Sequence, residues 1–190
     1  MSAYHAAMKS VALPGFHSPG ASTEAPLEML AACHGRVHKQ CDTLERLAAH
    51  LPTHGSDTAA QQAATAVMRY FDTAARDHHA DEETDLFPAL IESMAGSDAI
   101  CIRELIDSLT LEHRALDFRW QRLREVLHAI AAGDSVSLDP TDVEPFICMY
   151  ERHIAREEAE ARRREAEDAA RALRDQQSLE DAIAADKAAR

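Results

Sequence analysis

Apolar residues recur at alternating steps of three and four over four long stretches of this chain, as they do in helices that bury one face. The first stretch runs through Leu27, Leu30, His34, Val37, Cys41, Leu44, Ala48 and Leu51, from an N-cap at Thr23 to a stop at Pro52 and Gly55. The second is capped by Asp57 and carries Val67, Phe71, Ala75, His79, Glu83, Leu86 and Leu90, with Pro88 expected to kink it before Gly96 closes it. The third, capped by Ser97 or Asp98, holds Ile102, Ile106, Leu109, His113, Leu116, Trp120, Leu123, Leu127 and Ile130 as far as Gly133. A loop through Asp139 and Pro140 leads to the fourth, where Val143, Phe146, Tyr150, His153 and Glu157 keep the same spacing.

Long amphipathic helices joined by short connections pack as antiparallel neighbours, so the pattern predicts an all-α, up-down-up-down four-helix bundle over residues 23–165. Residues 1–22 contain Pro14, Gly15, Ser18, Pro19 and Gly20 without periodicity and read as a disordered arm. Residues 166–190 read as a charged helical tail, in which Leu173, Leu179 and Ile183 are too sparse to define a core stripe.

Composition agrees with helices, since aromatics are 5% of the chain and there are only six Gly and seven Pro. Lys plus Arg is 20 against 33 for Asp plus Glu, a formal net charge of −13 that repels nucleic acid. The basic run Arg162 to Arg164 is flanked by Glu157, Glu158, Glu160, Glu165 and Glu167 and reads as a zwitterionic helix face. No apolar run approaches the ~18 residues of a membrane span and no signal-peptide run opens the chain, so a soluble cytoplasmic protein is expected. Cys33, Cys41, Cys101 and Cys148 are isolated, which argues against a zinc ribbon or disulfide scaffold.

Eleven histidines change the picture. His34, His79, His113 and His153 each take a step of an apolar seam, one per helix, and Glu83 and Glu157 follow two of them by one turn. At ~1.5 Å per residue these groups fall near one height in the bundle. Burying two carboxylates among four imidazoles costs several kcal/mol per uncompensated charge, on the order of the whole stability of a domain. A metal resolves the conflict. Imidazole nitrogen and carboxylate oxygen suit iron or manganese, and six convergent groups suit two ions sharing carboxylates.

The rival pair His78 and Glu82 is set aside because the face of His79 and Glu83 continues into Leu86 and Leu90, whereas the other leads to Asp85 and Ala89. His38 lies just off the seam, while His5, His17, His50, His54 and His128 read as surface groups. Trp120 and Tyr150 read as packing residues with a polar end.

The order His, His-x-x-x-Glu, His, His-x-x-x-Glu over four helices resembles the hemerythrin-like (HHE cation-binding) domains over roughly residues 25–165. Ala32-Cys33-His34, His78-His79-Ala80-Asp81-Glu82-Glu83 with Leu86-Phe87-Pro88, and His153-Ile154-Ala155-Arg156-Glu157-Glu158 carry the likeness. The resemblance implies two non-haem iron ions bridged by Glu83 and Glu157, with His34 and His79 serving one and His113 and His153 the other. Oxygen carriers of the family place a further histidine one turn from the one in helix three. Here those positions are Leu109 and Asp117, which leaves one iron short of nitrogen unless Asp117 turns inward.

The expected function is a di-iron protein that binds or reacts with O2, NO or peroxide, in sensing, detoxification or iron-centre repair. Iron storage or buffering without turnover is the alternative. A third reading is an interaction module whose tail recruits partners or joins copies into a homo-oligomer.

Overall fold

The computed structural model describes residues 26–92 and 98–189, and every regular element among them is helical. The elements are α1 (Pro26–His54), α2 (Thr58–Asp72), α3 (Ala74–Asp81), a π-helical turn (Glu82–Leu86), α4 (Phe87–Glu92), α5 (Asp98–Ala131) and α6 (Pro140–Ala189). The arm expected over 1–22, the Thr23 cap and the closure at Gly96 and Ser97 lie outside the described residues, as does the side chain of Leu27. The elements α2, α3, the π turn and α4 follow one another as a single interrupted rod, so the chain makes four rods. Each rod packs on two others in the ring α1, α2, α5, α6.

The predicted seams of α1, α5 and α6 are largely buried, and that of the second rod as far as Ala75. In α5 every expected position from Ile102 to Ile130 is covered, and in α6 so are Val143, Phe146, Tyr150, His153 and Glu157. In α1, Leu47 rather than Ala48 enters the core. Pro52 does not end that helix, which runs on to His54 without the backbone hydrogen bond that the missing N–H would have made. Gly55 ends it instead, turning through φ +63° and donating its N–H to the Leu51 carbonyl at 2.8 Å. Asp57 caps α2 as expected, its carboxylate accepting from the Ala60 N–H at 2.8 Å.

The second rod departs from regular helix in two places. Thr73, at φ −126° and ψ −86°, separates α2 from α3. Further on, the Phe87 N–H reaches back five residues to the Glu82 carbonyl, so the turn holds one residue more than an α-helical turn. Pro88 follows at once. A proline ring clashes with the carbonyl four residues back in a regular turn, and this chain meets it with a widened turn just upstream in place of the expected kink.

Two apolar clusters fill the bundle. The larger includes Leu44, Val67, Phe71, Trp120, Leu127, Ile130 and Phe146, with Leu138 from the α5–α6 loop folded onto it. The smaller is Phe87, Ile102, Ile106 and Leu109. Beyond Arg164, α6 is exposed to the end of its described side chains, and Leu173, Leu179 and Ile183 stand in solvent.

Candidate metal centre

A polar layer lies between the two clusters. On α5, His113 is flanked by Leu109 on one side and Leu116 on the other; on the second rod, His78 and Glu82 fall between Ala75 and Phe87. His34 from α1 and His153 and Glu157 from α6 complete the layer. These six side chains are each at most 7% exposed. In α1, α5 and α6 periodicity places them, because each occupies a step of a stripe that is apolar above and below it.

Their ligand-type atoms converge in two groups, each with all members within 4.8 Å of one another. One holds His34, His78, Glu82 and Glu157; the other holds Glu82, His113, His153 and Glu157. Both carboxylates are shared. Glu157 Oε2 lies 3.1 Å from His34 Nε2, and its Oε1 lies 2.9 Å from His153 Nε2. Glu82 Oε1 lies 3.3 Å from His78 Nε2, and Oε2 lies 3.4 Å from His113 Nε2. A third grouping joins His79 to His113 and His153.

The outward nitrogens are held as regularly as the inward ones. His34 Nδ1 pairs with Glu158 at 3.2 Å, His113 Nδ1 with Glu83 at 2.8 Å and His153 Nδ1 with Glu112 at 3.0 Å. Each of these carboxylates is in turn gripped by an arginine: Glu158 by Arg162 at 3.3 Å, Glu83 by Arg114 at 2.6 Å, and Glu112 by Arg156 in a short contact. A carboxylate accepting from Nδ1–H fixes the tautomer and leaves the Nε2 lone pair facing the interior, which is what a metal ligand requires.

Burial pushes the Glu82 carboxyl well above the usual range, and the neighbouring Glu157 charge pushes it further. Burial acts on Glu157 in the same direction, but the neighbouring His153 and His34 imidazoles overcome it and hold that carboxyl well below the usual range. Burial also lowers His113, outweighing its bond to Glu83, and lowers His78 to about 4 and His79 to about 2. On His153, the carboxylates of Glu157 and Glu112 outweigh burial and the pKa rises. Burial and repulsion thus drive the two carboxyls apart, Glu82 toward keeping its proton and Glu157 toward its charged form.

Several atoms of the layer lack any hydrogen bond although they are fully buried: both Glu82 oxygens, Glu157 Oε1 and His79 Nε2. His153 Nε2 is near enough to Glu157 Oε1 but poorly directed for one. Buried polar atoms normally find partners, and leaving one without costs about 1–3 kcal/mol. Orphaned carboxylate oxygens shared by two groups of imidazoles fit cations that take their lone pairs. Beside the layer, an apolar cavity of about 70 Å³ is lined by Leu86, Phe87, Ile102, Ile106 and Leu109, together with Glu82 and Glu157.

The expected site residues His34, His113, His153 and Glu157 meet in this layer, and His79 borders it through the third grouping. Glu83 does not. Its side chain is 24% exposed and turned outward to His113 Nδ1 and Arg114, while Glu82 and His78 take the interior. The reason is the π turn. The step from Glu82 to the next buried residue, Phe87, is five positions, so Leu86 and Leu90 point back to Glu83 only if the extra residue goes uncounted. The signal present in the sequence is Pro88, whose ring disfavours a regular turn before it, with the bulkier Phe87 next to Leu86. Asp117 and His38 are exposed and stay outside the layer.

The chain matches the hemerythrin HHE cation-binding domain over residues 25–164. It is also 35% identical to an uncharacterized protein of Haemophilus influenzae over 138 residues, covering 73% of this chain and 77% of that relative. No solved structure gives a significant match. The matched span takes in every residue of the polar layer, and with four histidine-bearing rods and two shared carboxylates at its centre, this chain belongs to the hemerythrin HHE cation-binding domain family.

Proposed function

We propose that this chain is a non-haem di-iron protein that binds or reacts with a small ligand, O2, NO or peroxide, in sensing, detoxification or iron-centre repair. The observation that carries the reading is the sharing of Glu82 and Glu157 by two four-residue groups, a donor set for two ions bridged by carboxylates. His34 and His78 would hold one ion and His113 and His153 the other. Mixed imidazole and carboxylate donors favour iron over a thiolate-bound structural zinc. When bound, an iron pair supplies open coordination positions and one-electron chemistry.

The protein's own part is to orient and to exclude. The three carboxylate–arginine pairs hold imidazoles in register, and the apolar clusters keep bulk water from the layer. The apolar cavity of about 70 Å³ beside the layer has room for a diatomic molecule or peroxide next to Glu82 and Glu157. Rods running up-down-up-down go with this reading, since α5 meets the second rod and α6 in opposite sequence order: Trp120 with Asp72 but His113 with Glu83, and Arg122 with Asp142 but Glu112 with Arg156. A cytoplasmic setting is part of the proposal, and no helix among the described residues is long and apolar enough to cross a membrane.

Anaerobic titration with Fe(II) tests the reading. About two ions per chain should bind, and the visible spectrum should change on admitting O2 or NO. One tightly held zinc per chain would overturn it, and two irons with a spectrum indifferent to either gas would leave storage or buffering as the function.

A further inference from the structure

We infer that His79 is a third nitrogen donor to the ion held by His113 and His153, so that the two metal positions are unequal. The inference rests on the two-metal reading above. His78 and His79 are adjacent in α3, yet they serve different sides of the layer. His78 groups with His34, its ring 5.5 Å away edge-on, whereas His79 groups with His113 and His153. The His79 ring lies parallel to His113 at 4.0 Å with an interplanar angle of 8°, and edge-on to His153 at 5.7 Å. Tyr150 backs it at 5.9 Å.

Packing alone does not account for this residue. A ring that only fills space between His113 and Tyr150 would be apolar, or would bond its nitrogen to a neighbour. His79 Nε2 is instead fully buried with no hydrogen bond, in a layer where His34, His113 and His153 all have carboxylates on their outward nitrogens. A ring nitrogen of His79 within 4.8 Å of those of His113 and His153 is near enough to bind what they bind. Counting donors, the ion near His34 then has two imidazoles and the two shared carboxylates, and the other ion has three imidazoles and the same carboxylates. Uptake should therefore be stepwise, the fuller position loading first.

Co(II) titration of the metal-free full-length protein, followed by its visible d–d bands, reads donor number and affinity without any activity assay. The wild type should take up two ions in distinguishable steps. His79→Leu should retain the melting temperature of the metal-free protein, weaken the tighter step at least tenfold, change its band intensities and leave the weaker step in place. His79→Gln, which keeps a polar group without the imidazole, should give the same result and serves if the leucine variant does not fold. Titrations of both variants that superimpose on the wild type would make His79 a packing residue while leaving two metals in place. A wild type that binds fewer than two ions would overturn the two-metal reading, and this inference with it.

Discussion

The two apolar clusters on either side of the polar layer differ in how much they can do unaided. The larger interlocks Phe71 with Trp120, Phe146 and Tyr150 at ring distances of 4.9 to 5.4 Å, and it is closed by a capped helix start at Asp57, a glycine stop at Gly55 and a loop plug at Leu138. The smaller has four buried residues and rests on α4, a helix of six residues that follows the π turn. The first holds a bundle together by packing; the second depends on the layer above it. A metal that ties Glu82 to α1, α5 and α6 is what would make the weak end as firm as the strong one.

The largest effect expected is therefore regional. Metal loading should slow amide hydrogen exchange across residues 82–92 and 98–109 by orders of magnitude and hardly alter 116–130. Uniform protection along α5 would erase the contrast. Glu82→Ala should abolish metal uptake and this protection together, whereas Glu83→Ala should weaken binding without abolishing it.

Next in size is a core truncation. Phe71→Ala, at a 2% exposed position, should cost about 3–5 kcal/mol with or without metal, read by chemical denaturation. Ile106→Ala should cost less in the metal-free protein and more in the loaded one, since only loading orders its surroundings. Equal costs in the two states would show that the small cluster folds independently.

Glu112→Gln tests the outward pairing of His153. It should lower metal affinity about 10–100-fold, or roughly 1.4–2.7 kcal/mol, while the metal-free melting temperature changes little. A pH effect of similar size follows from Glu82 and His153. Both pKa values are raised in the metal-free fold, so both groups tend to hold a proton that a bound cation must displace. Affinity should rise with pH, by about tenfold per unit for each proton released, and a pH indicator should record that release on loading. The smallest effect should come from removing residues 166–190, which are exposed wherever their side chains are described. Stability should shift by less than about 0.5 kcal/mol, and a loss of oligomer on sizing would locate self-association in the tail.

The seams of α1, α5 and α6 were readable from spacing because those helices keep one period, and His34, His113, His153 and Glu157 came with them. The second rod was readable only as far as Phe71 and Ala75. Past that point the five-residue step rotates the downstream apolar residues away from the phase of the upstream ones, and Leu86 and Leu90 named the wrong carboxylate. Glu112 and Glu158, and the outward role of Glu83, were unreadable for another reason. Each sits one position from a seam, where a carboxylate ordinarily belongs to the solvated face, and only the folded rods show that each reaches an imidazole.

The π turn also has an arithmetic consequence for the length of the gene product. Glu82–Leu86 carries a surplus of one residue, and the exposed Thr84 is a dispensable candidate. Deleting Thr84 would put Phe87 four positions after Glu82, so an unbroken α-helix would carry Ala75, His78, Glu82 and Phe87 on one face. A single-codon deletion there would keep that face in phase, and its cost would fall on Pro88, whose ring would then meet a regular turn. The same deletion within α5 would swing His113 and the seam on one side of it about 100° out of phase with the other.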